Sequence, residues 1–312
     1  MLDGQSFHLN MYDSTGGFLG RIAREGSGPG ELKRPCCLTL SPDGRLWLRD
    51  AGNGRYAWYR VGPDGSIEVG SVRMAHNDPY YGVRPGFGID GHLIDIGHER
   101  DTAGTRTLVR FHRDESGRVA KREPVRVAPA DSLAPQHTVN RRTDQSQSRF
   151  NFSQPFGPRD LVAHSPRGGW AEAISSRYVV RWIGPDSVFD LHIQRDLVGP
   201  EVTAAERNEA LQPFRDLLPR FRQTLSDLSF GIPERKPPIQ NLQFGQDGRL
   251  WVHLAQPQGQ PHVAHVYDSA GPVLALSWPN SVSLSDGFLS SHFALGVQRD
   301  DLDVERVVRL RW

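Results

Sequence analysis

Apolar and polar residues alternate in short runs along most of this chain, and turn residues separate the runs. The pattern is clearest at residues 38–65 and 242–271, where both copies contain the sequence Asp-Gly-Arg-Leu-Trp. An Asp-Gly pair between two alternating runs is the strongest local signal for a β-hairpin, because both turn residues tolerate a positive φ. Each copy is therefore predicted to be an antiparallel meander of short strands.

Two weaker copies of this unit lie between the strong ones. Residues 83–93 keep the Asp-Gly turn, whereas residues 161–173 have Gly168-Gly169 in its place. The predicted turn glycines of the four copies are Gly44, Gly91, Gly169 and Gly248. A four-stranded unit of this kind cannot bury both of its faces alone, so the copies must stack around an axis. The sequence therefore predicts an all-β fold, a β-propeller of four-stranded antiparallel blades.

We expect the whole chain, residues 1–312, to form one propeller domain. The first strand pair matches the third and fourth strands of the later units, so the C-terminal strands are expected to pair with it and close the ring. The missing first two strands of that blade would come from the C-terminus or from sequence further upstream. The predicted blades are residues 7–22 with 281–312, 35–73, 83–127, 159–195 and 238–279.

Two insertions interrupt the repeats. Residues 128–158 are polar and lack a clear periodicity, which is typical of a disordered segment; a mobile cover over one propeller face is the alternative. Residues 203–228 open with a capping box at Thr203, and apolar residues then recur with helical spacing. Because Pro213 and Pro219 lie inside this run, we expect two short helices or one kinked helix. The apolar stripe would pack on a face of the propeller or, alternatively, bind a partner.

The charge of the chain argues against a nucleic-acid or membrane partner. There are 37 basic and 36 acidic residues, and the formal net charge is +1. No apolar run is long enough to span a bilayer, and no basic start is followed by an apolar stretch. We therefore predict no nucleic-acid partner, no membrane span and no signal peptide in the chain as it stands, and we expect a monomer.

Few residues stand in arrangements that indicate catalysis or metal binding. Cys36 and Cys37 are adjacent, and neighbouring strand positions point to opposite faces, so two buried thiols are expected rather than a disulfide or a shared metal. Zinc-type cysteine spacings, Gly-x-Ser-x-Gly and His-Glu-x-x-His are absent from the sequence. His253 and His265 could face each other across a hairpin, but a structural polar pair explains them equally well. The sequence thus predicts no metal ligands and no cofactor.

Several segments carry a family resemblance: Tyr-Asp-Ser-Thr-Gly at 12–16, Gly-Ser-Gly-Pro-Gly-Glu at 26–31 and Ser-Pro-Asp-Gly-Arg-Leu-Trp-Leu-Arg-Asp at 41–50. With the later helix and the ending at residues 304–310, they resemble bacterial six-bladed β-propellers of the NHL-repeat and TolB-like type. The resemblance covers nearly the whole chain and implies six blades with part of the first one lost, whereas the repeats alone give five. It also implies export to the periplasm or cell envelope. The signal and first half-blade of that family are absent, so we expect a truncated or late-started reading frame.

The geometry of a propeller indicates where a ligand would bind. The loops that enter the innermost strands converge on one face, at the mouth of the central channel. Three arginines at these loops would favour an anionic or carbohydrate-like ligand through bidentate contacts; pairing with acidic neighbours or exposure to water is the alternative. The candidate ligand-binding residues are Arg34, Arg84, Arg159, Asp160, Gln240 and Asn241.

These observations favour a non-catalytic binding or scaffold propeller whose blade loops recognise a partner protein or a small polar ligand. The resemblance also implies an alternative, because related propellers include lactonases and lyases that hold a divalent metal such as calcium in the channel. That alternative is a metal-dependent hydrolase or lyase with its site at the channel mouth, although the ligand motifs of those families have no residue-by-residue match here. A sensory domain of a larger receptor fits less well, since both chain ends are expected to close the ring.

Overall fold

The computed structural model describes the chain except for residues 1, 4–5, 14, 75–83, 89, 101, 103–105, 128–132, 144–145, 186–187 and 301–303. The predicted blade start at Val83 and the beginning of the polar insertion lie outside the described residues. Within the described part, the strands form seven sheets, of which six are the blades of a β-propeller and one is a separate hairpin. The predicted fold class is therefore confirmed. No helix in the described ranges is long and apolar enough to cross a membrane.

The blades follow one another along the chain. Blade 1 comprises β1 (Leu2–Asp3), β2 (His8–Tyr12), β3 (Phe18–Glu25) and β4 (Glu31–Leu32). Blade 2 comprises β5 (Pro35–Leu40), β6 (Leu46–Asp50), β7 (Arg55–Val61) and β8 (Ile67–Arg73), with a 3₁₀ turn at Ala51–Asn53. Blade 3 comprises β9 (Gly86–Phe87), β10 (Leu93–Arg100), β11 (Arg106–Arg113) and β12 (Val119–Val127).

The separate hairpin of β13 (Gln136–Thr143) and β14 (Ser146–Ser153) comes next. Blade 4 comprises β15 (Asp160–His164), β16 (Trp170–Ile174), β17 (Val179–Ile183) and β18 (Asp190–Gln194). Blade 5 comprises β19 (Ile239–Phe244), β20 (Leu250–Leu254), β21 (His262–Asp268) and β22 (Gly271–Trp278). Blade 6 comprises β23 (Val282–Leu289), β24 (Phe293–Arg299) and β25 (Glu305–Arg311).

The two ends of the chain form separate blades, so the predicted composite blade of residues 7–22 and 281–312 is wrong. In blade 1, β2 pairs with β1 and β3, and in blade 6, β24 pairs with β23 and β25. Each end finds its partners through local hairpins, which cost less loop-closure entropy than pairing the two ends of the chain. The propeller therefore has six blades, as the family resemblance implied, and not five.

In blades 3 to 6, the first strand of each blade lies nearest the central axis. Contacts join the first strands of neighbouring blades, from β9 to β15, β15 to β19 and β19 to β23. In a ring of six blades, blades 3 and 6 lie opposite each other, so a contact between them crosses the central channel. The chain enters these inner strands from one side of the ring, which we call the entry face.

Tight turns join the first and second strands. In blade 2, Gly44 takes a φ of 80° and its N–H closes the turn with a 2.9 Å hydrogen bond. The equivalent bond in blade 4 runs from Gly168 N–H to the Ser165 carbonyl (3.1 Å), so the predicted turn residue, Gly169, is one position too late. Gly169 also has a positive φ of 77°, and a Cβ there would collide with the Ile183 carbonyl. Glycine is therefore required at both positions, once by the turn and once by close backbone approach.

Hydrophobic cores fill the gaps between neighbouring blades. Because strand side chains alternate, one set faces the preceding blade and the other faces the following blade. The repeated tryptophan has the same place in both strong copies. Trp47 packs against Phe87 and Leu93 of blade 3, and Trp251 packs against Val282 of blade 6. The Asp-Gly-Arg-Leu-Trp sequence thus combines a turn with a residue that fills the gap to the next blade.

The two insertions form a cap, defined here as residues 136–153 and 204–228. In the second of these, α1 (Ala204–Leu217) is followed by 3₁₀ segments at Leu218–Phe221 and Leu225–Asp227. The α-helix continues through Pro213 but ends just before Pro219, as expected for a helix broken by proline. The insertions directly precede β15 and β19, so the cap stands on the entry face.

The apolar side of α1 packs against the hairpin, so the prediction that it packs on a propeller face is wrong. Phe214 and Leu218 are buried with Val139, and the rings of Phe214 and Phe152 meet edge to face, 6.0 Å apart. The described part of residues 128–158 is an ordered hairpin, so the prediction of disorder is wrong there. A hairpin poor in aliphatic residues becomes stable because the helix covers its few apolar side chains.

A capping box starts α1. Glu206 N–H donates to Thr203 Oγ1 (3.2 Å), and Thr203 N–H donates to Glu206 Oε2 (2.9 Å). Thr203→Ala leaves a helix N–H without its acceptor and is expected to lower the free energy of unfolding by about 1 kcal/mol, measured in urea. Thr203→Ser keeps the hydroxyl and serves as the control. Equal stability of the two variants would contradict this role.

Candidate functional site

The residues predicted from the sequence lie at the start of inner strands but do not form one cluster. Arg159 is exposed and donates from Nη2 to the Gln240 carbonyl (2.7 Å), so these two neighbours in blades 4 and 5 meet. Asp160 is buried beside His98, with 3.6 Å between Oδ2 and Nε2. Arg34 is exposed in a left-handed conformation (φ 59°). The structure therefore brings together the blade 4 and blade 5 residues and leaves Arg34 apart.

Arg84 reaches across the channel. It lies just before β9 in blade 3, and its Nη1 donates to the carbonyl of Gly287 in blade 6 (3.3 Å). The pairing of β23 with β24 is interrupted around Gly287, which leaves this carbonyl available to side chains. Gln243 of blade 5 donates to the same oxygen from Nε2 (3.0 Å). The Arg84 guanidinium of blade 3 and the Gln243 amide of blade 5 thus meet at one carbonyl of blade 6, close to the central axis.

A buried histidine, His253, lies in the neighbourhood of Arg84. It lies opposite Asn241 in the β19–β20 ladder and packs edge to face against Trp278, with ring centroids 5.6 Å apart. Burial, together with the neighbouring His262 and Arg84, lowers the pKa of His253 to about 4. The imidazole is therefore neutral at pH 7. We call Arg84, Gln243, His253 and the Gly287 carbonyl the axial cluster.

Two buried atoms of the axial cluster have no hydrogen-bond partner among the residues that the structure describes. They are Oε1 of Gln243 and Nε2 of His253, and both side chains are more than nine-tenths buried. A buried polar atom without a partner costs about 1–3 kcal/mol, so such atoms point to a bound water or ligand. The axial cluster therefore combines a cation with unused hydrogen-bonding capacity.

Of this cluster, the sequence predicted Arg84 as a site residue, considered His253 only as a partner of His265 and did not single out Gln243; in the structure His253 lies opposite Ala264 instead. A signal was present in the aligned repeat, where Gln243 corresponds to Thr39 and His253 corresponds to Arg49. At both positions the copies have a polar residue where the side chain, by the alternation along the strand, faces the next blade. Polar residues at such inward positions are rarer than apolar ones and indicate a buried network.

The second member of that pattern, Arg49, belongs to a buried network between blades 2 and 3. Arg49 forms an ion pair with Asp95, and the Tyr56 hydroxyl donates to the same carboxylate. The Ile96 N–H also donates to it (2.8 Å). Burial raises the pKa of Asp95, while the charges of Arg49 and Arg113 oppose that shift.

The two cysteines form a disulfide, so the prediction of two buried thiols is wrong. Both are only half-buried. The argument from alternating faces fails because Cys37 is in the left-handed region (φ 67°) and the pairing of β5 with β6 is irregular between Cys36 and Thr39. This bulge turns both side chains to one side. Among the described residues, no three His, Cys, Asp or Glu side chains are grouped so that they could hold a metal ion.

No known family model matches the chain, and no curated protein matches it. Solved structures of similar shape include virginiamycin B lyase from Staphylococcus aureus, with a TM-score of 0.43 and 10% identity over 98% of this chain and 89% of that one. A puromycin-hydrolyzing peptidase from Mycobacterium tuberculosis has a TM-score of 0.43 and 14% identity over 97% of this chain and 42% of that one. Similarities as low as these assign neither a family nor an activity.

Proposed function

We propose that this protein is a non-catalytic binding propeller that holds a small polar ligand with a negative charge at the axial cluster. The observation that supports this proposal is that Arg84 of blade 3 and Gln243 of blade 5 donate to the same carbonyl, that of Gly287 in blade 6, with the buried His253 in the neighbourhood of Arg84. In this proposal the protein is an exported monomer of the NHL-repeat or TolB-like type and requires no cofactor. Asn241, which lies opposite His253, adds an amide on the entry side.

The chemistry of the three side chains suggests a carboxylate with a neighbouring hydroxyl. A guanidinium binds carboxylates in a planar, bidentate manner and keeps its charge at every accessible pH. Gln243 Oε1 can accept a hydrogen bond from a hydroxyl, and a neutral imidazole can donate or accept one. A hydroxycarboxylate or a sugar acid offers a partner to all three side chains, whereas a neutral sugar offers Arg84 no charged acceptor.

Arg84→Gln is expected to weaken binding of such a ligand by about tenfold to a hundredfold, because a charged hydrogen bond contributes about 1.5–3 kcal/mol. The probes are lactate, gluconate and inorganic phosphate at millimolar concentrations, with glucose as the uncharged comparison. Binding is measured by thermal shift and by titration calorimetry.

Arg60→Gln provides the matched control. It removes the same charge from an exposed side chain on β7, where Arg60 pairs with Asp43 and Glu68 at the surface. Binding should be unchanged in this variant. Equal losses in both variants, or stabilisation by glucose as strong as that by gluconate, would contradict the proposed anion site.

A further inference from the structure

The disulfide between Cys36 and Cys37 lies on β5, the inner strand of blade 2, and joins consecutive residues. Their Cα atoms are 3.7 Å apart, closer than the roughly 4.4–6.8 Å of ordinary disulfides. In the described part of the chain no free cysteine accompanies the pair. Both residues are half-buried, so a small thiol can reach the bond.

A bridge between neighbours contributes little to the stability of the fold. The entropic stabilisation by a disulfide grows with the length of the loop that it closes, and consecutive residues close the shortest one. The bond also holds Cys37 at a φ of 67°, a conformation that costs a residue other than glycine about 1–3 kcal/mol. A structural staple is therefore a poor explanation for this pair.

The surroundings of Cys37 favour a thiolate. Arg49 Nη1 lies 3.9 Å from Cys37 Sγ, and its guanidinium is fully buried. Arg113 packs over the Tyr56 ring nearby, with 5.5 Å between the guanidinium carbon and the ring centroid. Cys37 Sγ therefore has a buried guanidinium as a direct neighbour, and nearby cations stabilise a cysteine thiolate.

We propose that Cys36 and Cys37 are a reversible redox couple, reduced by small thiols or dithiols, in which Cys37 leaves as the thiolate next to Arg49. The thiolate of a dithiol attacks Cys36 Sγ, the Cys36–Cys37 bond breaks, and its electron pair goes to Cys37 Sγ. The second thiol of the reductant then attacks the mixed disulfide. That step releases Cys36, which takes up a proton, and yields the oxidised dithiol.

The couple is tested by alkylation and intact mass on the full chain. After treatment with oxidised glutathione, the denatured protein should take up no N-ethylmaleimide. After dithiothreitol under native conditions it should take up two, and renewed oxidation should return it to none. The proposal would be overturned if the protein took up two N-ethylmaleimide groups after treatment with the oxidant. It would also be overturned if protein that was reduced under native conditions and then denatured took up none. The Cys36→Ser/Cys37→Ser double variant should take up none throughout.

Single variants test the role assigned to Cys37. At pH 7 the remaining thiol of Cys36→Ser should react with maleimide about tenfold faster than that of Cys37→Ser, because the neighbouring Arg49 guanidinium stabilises the Cys37 thiolate. The advantage should shrink as the pH rises above the ordinary thiol pKa, because both thiols then ionise. Equal rates at pH 7, or a faster Cys36, would overturn the assignment of Cys37 as the leaving thiolate. Circular dichroism confirms that each variant is folded.

Discussion

Asp95→Ala is expected to lower the free energy of unfolding by about 3–5 kcal/mol, because it leaves buried positive charge without its anion. Asp95 pairs with Arg49 across the gap between blades 2 and 3 and accepts the Tyr56 hydroxyl. Arg49 is fully buried, so water cannot replace the lost carboxylate. Urea unfolding followed by tryptophan fluorescence measures the loss.

Asp190→Ala is the matched control for that experiment. Asp190 also pairs with an arginine, and Arg181 contacts both of its carboxylate oxygens at 3.0 and 3.1 Å from Nε. Both side chains are about 40% exposed, which limits the expected loss to about 1 kcal/mol or less. A loss for Asp95→Ala no larger than this would show that the buried pair contributes no more than a surface pair.

The propeller fold could be predicted because its signals are local. Asp-Gly turns fix hairpins through a few backbone dihedrals, and alternation fixes which side chains face a neighbouring blade. The assignment of the chain ends failed because β1 and β4, which complete blade 1 locally, are only two residues long and leave no alternating pattern. The prediction of disorder in the first insertion failed because the polar hairpin at residues 136–153 is stabilised by apolar residues near Phe214, far along the chain.

The sequence could indicate where a candidate site would lie, but not all of the residues that form the axial cluster. Arg84 was found because every inner strand begins at the entry face, a property of the fold. Gln243 and His253 come from positions within strands, where a polar residue normally predicts a solvent-facing side chain. Their burial depends on the neighbouring blade, which contributes Gly287. The disulfide was missed because the rule of opposite faces holds only for a regular strand, and β5 is bulged at Cys37.

The polar positions of the repeat have different consequences in the two strong copies. In blade 2, Arg49 forms an ion pair with Asp95 of the next blade. In blade 5, His253 at the equivalent position is neutral, and its Nε2 has no hydrogen-bond partner in the described part of the chain. A buried charge that is paired with its counter-ion joins the two blades, whereas a neutral buried side chain with an unsatisfied polar atom costs stability unless something binds there. This contrast favours a structural role between blades 2 and 3 and a binding role near blades 5 and 6.

Trp251→Ala is expected to cost about 3–5 kcal/mol in urea unfolding, because it empties the gap between blades 5 and 6. Trp251 is only 1% exposed and packs with Trp278 and Leu284. Its ring also meets Trp312, with centroids 5.3 Å apart. Trp312→Ala is the control, because this partner is 40% exposed and its removal should cost about 1 kcal/mol. If the two variants lose the same stability, the repeated tryptophan does not anchor the next blade; a much larger loss for Trp251→Ala establishes it as the residue that joins blade 5 to blade 6.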